Sequence, residues 1–110
     1  MIESGIPEMT PLEVKRMVDD GRPFVLVDVR ERDEYQICCI PGSKLIPLGE
    51  LPRCLHELSR SEEIVIHCKS GKRSAQAVEL LMKTGFRRVW NLKGGILAWS
   101  DQVNPAIPKY

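Results

Sequence analysis

Two short runs, Phe24-Val25-Leu26-Val27-Asp28-Val29 and Ile64-Val65-Ile66-His67, are rich in β-branched residues and apolar on both faces. A strand with one wet face alternates apolar and polar residues, whereas strands of a parallel sheet are covered on both sides and read as near-continuous apolar runs. The chain is therefore constrained to a sheet enclosed between helices, and the segments between the runs should supply those helices. In Met9-Thr10-Pro11-Leu12-Glu13-Val14, Thr10 stands as N-cap, Pro11 takes the first helical position and Glu13 the return half of a capping box. Met9 and Val14 are placed to close a hydrophobic staple. This pattern predicts a helix from 11 to about 20, stopped by Gly21-Arg22-Pro23.

The alternation continues. Residues 31–37 suit a short helix, and Pro41-Gly42-Ser43 is a turn signal before the brief apolar run Leu45-Ile46. Leu51, Leu55 and Leu58 have helical spacing, so a helix is expected over 51–58. In 74–84, Ala77, Val78, Leu81 and Met82 form one apolar stripe that ends at Gly85. Val89-Trp90-Asn91-Leu92 reads as a further strand, and Gly94-Gly95 opens a last helix from 96 to about 102. Strands and helices taking turns imply right-handed crossovers and a three-layer α/β/α fold around a central, mainly parallel sheet of about five strands. Ligands in such folds bind beyond the carboxyl ends of the strands. A length of 110 residues, 43% of them hydrophobic, is enough for one core, so 1–110 is expected to be a single domain. Two prolines in 104–110 forbid helix there and favour an extended strap.

With 16 Lys and Arg against 15 Asp and Glu the formal net charge is +1, so bulk electrostatics predicts no nucleic-acid or membrane partner. Any functional positive charge must be local. No stretch approaches the roughly 18 consecutive apolar residues of a membrane helix, and 1–8 lacks the regions of a signal peptide, so a cytoplasmic location is expected. Cys38, Cys39, Cys54 and Cys68 show no CxxC spacing, and the first two are adjacent, which suits neither tetrahedral zinc nor an unstrained disulfide. Reduced thiols, and no metal, are the expectation.

The informative stretch is Ile66-His67-Cys68-Lys69-Ser70-Gly71-Lys72-Arg73-Ser74, where a buried strand ends at a cysteine and a glycine-containing loop leads into a helix. Three effects converge on Cys68. Loop amides can curl around the sulfur as an anion nest, the helix points its positive end inward, and Lys69, Lys72 and Arg73 add cationic charge. Each favours thiolate over thiol, which makes a nucleophile near neutral pH. The bland alternative, a small buried hydrophobe, requires neither that glycine nor three cations within five residues.

Four stretches, in order, resemble the rhodanese-like domains across nearly the whole chain. Val27-Asp28-Val29-Arg30-Glu31 with Glu34-Tyr35 is similar to the family's first signature, and Ile40-Pro41-Gly42-Ser43 to its second. Cys68 to Arg73 resembles the active-site loop, and Gly94-Gly95-Ile96-Leu97-Ala98-Trp99 the closing motif. The resemblance implies transfer of sulfane sulfur from a small anionic donor or a protein persulfide, with Cys68 as persulfide intermediate and no cofactor. Lys72 and Arg73 would position the donor, Lys69 would steer it, and Ser70, Gly71 and Ser74 would hold the bound sulfur. Two rival readings stand beside this one. Cysteine phosphatases of related fold place their arginine one residue later, where this chain has Ser74; the other rival is a catalytically idle interaction module. The ending 104–110 resembles that of rhodanese-like domains fused to adenylyltransferases of molybdopterin or thiamine biosynthesis. That likeness implies a ubiquitin-like sulfur carrier as acceptor, an adenylyltransferase domain as partner, and an excised boundary at 1–4.

Other residues have plainer expectations. His67 neighbours Cys68 on a strand and so faces the opposite side, behind the loop. Asp28 and Arg30, two apart at a strand end, are expected to brace the loop by an ion pair or hydrogen bonds. His56 should be solvated, and Trp90 and Trp99 should fill core or rim. Cys39 stands where the family often has histidine; Cys38 and Cys39 read as incidental thiols, with sulfur relay or a disulfide as the alternative.

Overall fold

The computed structural model describes residues 5–110 and shows one five-stranded sheet, all of whose paired strands run parallel. The elements are β1 (Glu8–Met9), α1 (Pro11–Asp19), β2 (Val25–Asp28), α2 (Arg32–Ile37), β3 (Lys44–Leu45), β4 (Ile64–His67), α3 (Lys72–Lys83), β5 (Val89–Leu92) and α4 (Gly95–Gln102). Their order across the sheet is β1-β5-β4-β2-β3, so the doubly apolar runs β2 and β4 sit side by side near the middle. The expected boundary at 1–4 lies outside the described residues.

Strand alternation divides the core. Val27, Ile64, Ile66 and Val89 meet Ala77, Val78 and Leu81 of α3 on one face, while Leu26, Val65 and Leu92 meet Val14 of α1 and Ile96 and Trp99 of α4 on the other. This is the enclosed sheet that the two apolar runs require. The α1 start carries the expected capping box: the Thr10 hydroxyl accepts from Glu13 N at 3.2 Å, and Glu13 accepts from Thr10 N at 2.8 Å.

Two local expectations are corrected, and one strand appears that was not anticipated. Residues 51–58 do not form an α-helix; they lie in two 3₁₀ turns, Leu48–Arg53 and Leu55–Glu57, because Pro52 in their midst supplies no N–H for a helical ladder. The strand β1 has only two residues and no readable alternation, yet pairs with Asn91 and Leu92 at the sheet edge. The stripe of α3 narrows, since Met82 is exposed, and α3 begins at Lys72 rather than 74.

Candidate functional site

Cys68 follows β4 directly and shares the face of Ile64 and Ile66, so strand geometry aims its sulfur at the start of α3. The residue is 1% exposed. Gly71, at φ +108°, turns the chain back in a left-handed conformation that a side chain would resist, and it is the N-cap of α3. As a result Gly71 N donates to Cys68 Sγ at 3.1 Å and Ser74 N at 3.4 Å, with the Ser74 hydroxyl at 3.3 Å. Burial alone would raise the Cys68 pKa; the Ser74 hydroxyl and the amides of Ser74, Gly71 and Ser70 outweigh it, and the thiol is held below its ordinary value. One of the orphan N–H groups of the first turn of α3 thus finds its acceptor in the sulfur.

Asn91 is a member of this site that no local motif marks. It stands opposite Ile66 in the β4–β5 register and is 3% exposed. Its amide donates to the Gly71 carbonyl at 3.1 Å, and its Oδ1 accepts from the Ser74 hydroxyl at 2.6 Å. The single Ser74 proton therefore has two acceptors within reach, Asn91 and, when ionised, the Cys68 sulfur. The available signal was a polar residue within an otherwise apolar strand run, Val89-Trp90-Asn91-Leu92.

Behind the loop lies a buried polar group. Asp28 and Arg30 are both wholly buried; Arg30 Nη2 meets Asp28 Oδ2 at 2.8 Å, Arg30 Nε meets Oδ1 at 3.0 Å, and the Arg30 amide also donates to Oδ1 at 3.0 Å. Arg30 then reaches the Cys38 carbonyl at 2.7 Å and the Tyr110 hydroxyl at 2.9 Å. His67 lies behind the loop too: Nδ1 is 3.4 Å from the Cys68 carbonyl, and Nε2 lies 3.7 Å from Asp28 Oδ2 without a hydrogen bond. Burial holds the imidazole below its ordinary pKa, against the pull of Asp28, so it is kept neutral.

The cations of the loop are not equally free. Arg73 Nη1 and Nη2 donate to Glu34 Oε1 and Oε2 at 2.6 and 3.0 Å, and the Tyr110 hydroxyl donates to Glu34 Oε2 at 2.8 Å. Lys69 Nζ stands 4.6 Å from the centre of the Tyr110 ring, while Ser70 and Lys72 are exposed. The tail 104–110 is not extended throughout, as the prolines suggested, but turns at 105–107, where Ile107 N donates to the Asn104 carbonyl at 3.1 Å; it places Tyr110 here by several ties. Ser100 Oγ donates to the Ile107 carbonyl at 2.6 Å, Ile107 is buried, and Lys109 pairs with Asp101. Glu34 and Tyr110 had no place in the sequence-based site; they arrive from 39 and 37 positions away from Arg73, a separation that no local spacing reveals.

The start of α4 fixes the loop from the side, since Ile96 N donates to the Cys68 carbonyl at 2.9 Å and Leu97 N to that of Lys69 at 3.2 Å. Such an approach requires Gly95: a Cβ there would stand 2.6 Å from the Cys68 oxygen, and its φ is +65°. Gly95→Ala should displace the loop, destabilise the protein by about 1–3 kcal/mol and raise the Cys68 pKa. Urea unfolding together with pH-dependent alkylation checks both effects.

A family model described as the rhodanese-like domain matches residues 10–102, which includes every element of the site except the strap. The chain belongs to the rhodanese-like family. This rhodanese-like domain is 40% identical over 99 residues to the putative sulfur carrier protein YrkF of Bacillus subtilis (strain 168), covering 90% of this chain and 54% of that protein. It is 38% identical over 104 residues to the probable adenylyltransferase/sulfurtransferase MoeZ of Mycobacterium tuberculosis, covering 93% of this chain and 26% of MoeZ. The chain thus spans about half, or a quarter, of these relatives. The crystal structure of a rhodanese-like domain protein from Staphylococcus aureus superposes with a TM-score of 0.83 at 32% identity, covering 96% of this chain and 99% of that one. Fold and family support sulfur transfer as the general activity.

The other thiols of this rhodanese-like domain are free and half-buried. Cys38 Sγ donates to the Pro108 carbonyl at 3.5 Å, so that thiol is a strap contact. Trp99 is 6% exposed in the core, Trp90 donates to Glu63 at 2.9 Å, and His56 is exposed. Among the described residues no group of three or more His, Cys, Asp or Glu side chains is placed to hold a metal, and no helix is long and apolar enough to cross a membrane.

Proposed function

We propose that this domain carries sulfane sulfur on Cys68, taking it from thiosulfate or a persulfide and passing it to a nucleophilic acceptor. The observation that carries the reading is the convergence of the Gly71 and Ser74 amides on Cys68 Sγ at 3.1 and 3.4 Å. Amides that stabilise a thiolate also stabilise the anionic end of a persulfide built on it. The thiolate attacks the outer sulfur of the donor, the donor's S–S bond breaks, and sulfite or a thiolate departs. The acceptor then attacks the terminal sulfur and returns Cys68 as thiolate. Ping-pong kinetics should follow.

A ubiquitin-like sulfur carrier is the acceptor class we favour, with an adenylyltransferase domain, fused or separate, to activate it; the names of YrkF and MoeZ support the pairing. The six positions from Cys68 to Arg73 also favour sulfur over a tetrahedral phosphate, because Arg73 is turned to Glu34 and Ser74 to the sulfur. Intact-mass measurement after treatment with thiosulfate or an alkyl persulfide tests the proposal. One added sulfur atom, removed by cyanide as thiocyanate, is expected; an unchanged mass with both donors would reject the reading.

A further inference from the structure

The loop carries three cations, and the one best shaped to clamp an anion is already engaged. Arg73 spends both terminal nitrogens on the two oxygens of Glu34, at 2.6 and 3.0 Å, and Tyr110 donates a third hydrogen bond to the same carboxylate. The Arg73 guanidinium holds the Glu34 carboxyl down at about 2, so the pair is intact wherever Cys68 reacts as thiolate. Arg73 nevertheless stands beside the sulfur, since it directly precedes Ser74, whose amide and hydroxyl meet Cys68 Sγ at 3.4 and 3.3 Å. Tyr110 is itself seated by Arg30 at 2.9 Å and covered by Lys69.

We infer that Glu34, seated by Tyr110, determines donor specificity: by cancelling the Arg73 charge beside Cys68 it disfavours inorganic dianions such as thiosulfate and favours alkyl persulfides. This rests on the sulfur-transfer reading and narrows its donor class. A thiolate attacking thiosulfate gives a persulfide and sulfite, RS⁻ + S–SO₃²⁻ → RSS⁻ + SO₃²⁻, an encounter of one negative charge with two. Attack on an alkyl persulfide, RS⁻ + R′SS⁻ → RSS⁻ + R′S⁻, brings one charge to one. The dianion therefore loses more when a nearby cation is neutralised.

The test is a charge cycle of E34Q, R73Q and the double variant, each checked for its melting transition. The first readout is the ratio of kcat/KM for thiosulfate to that for N-acetylcysteine amide persulfide, and to that for a persulfidated single-cysteine protein, which separates small from protein-borne donors. The second is the ratio of Cys68 alkylation rates by anionic iodoacetate and neutral iodoacetamide, which requires no sulfur transfer. E34Q should raise every ratio about tenfold, chiefly through the KM of thiosulfate, R73Q should lower them, and the double variant should return near the wild-type values. A pair that only supports the fold would move all rates down in both single variants and leave the ratios fixed, which overturns the inference. A rise against one persulfide and not the other overturns it as well, since size and not charge would then decide. Should no donor load the wild-type cysteine, the sulfur-transfer reading falls, and the alkylation ratios still decide whether Glu34 cancels Arg73.

Discussion

Cys68→Ala should abolish sulfur uptake, lowering transfer from any donor by about a thousandfold or more, because covalent catalysis has no partial substitute for its nucleophile. The sulfur meets the Gly71 amide, the Ser74 amide and the Ser74 hydroxyl together. Alanine leaves that nest intact and empty of its anion, so the fold should persist and the loss should be of chemistry alone. Cys39→Ala should keep its sulfur uptake, since that half-buried thiol has no hydrogen bond to the loop among the described contacts. Intact mass before and after cyanide reads both variants, and a cyanide-labile sulfur that survives Cys68→Ala would move the site elsewhere.

The largest effect on stability is expected from Asp28→Ala, at about 3–5 kcal/mol, the usual cost of stranding a buried charge. Neither Asp28 nor Arg30 has exposed side-chain surface, and the carboxylate receives the Arg30 amide as well as its guanidinium. Without Asp28 the guanidinium would keep only carbonyl and phenol partners, Cys38, Glu34 and Tyr110, none of which carries the compensating charge. Against a typical total of about 5–15 kcal/mol, such a loss leaves a marginal protein. Asp28→Leu combined with Arg30→Met should recover much of it, because an apolar pair has no charge to strand. Urea unfolding measures both, and a cost under about 1 kcal/mol for Asp28→Ala would show that water reaches Arg30.

How much of this could be read from the chain depended on how far apart the partners lie. The runs that became β2 and β4, the capping box at Thr10 and Glu13, and the loop from Cys68 to Ser74 are contiguous, and contiguous segments carry their own periodicity and turn chemistry. Asp28 and Arg30, two positions apart on a strand, were legible for the same reason. At 51–58 leucine spacing and Pro52 point opposite ways, and the missing N–H prevails: two 3₁₀ turns stand where the spacing alone predicts a helix. The strand β1 was too short to show alternation. Glu34 and Tyr110 join Arg73 only through tertiary folding, so the sequence revealed the charge of Arg73 and not its partner. Asn91 lay between: its place on a buried strand was plain, and its meaning required knowing that β5 lies beside β4.

Sulfur transfer at position 68 requires the loop to make a sulfur anion stable there, and the rate of Cys68 alkylation by iodoacetamide against pH tests this most directly. The protein for it lacks Cys38, Cys39 and Cys54, so that one thiol reports. An inflection below the ordinary thiol value of about 8.5 is predicted, moving upward in Ser74→Ala as one of the hydrogen bonds that outweigh burial is lost. An inflection at or above the ordinary value, unmoved by Ser74→Ala, would contradict the account.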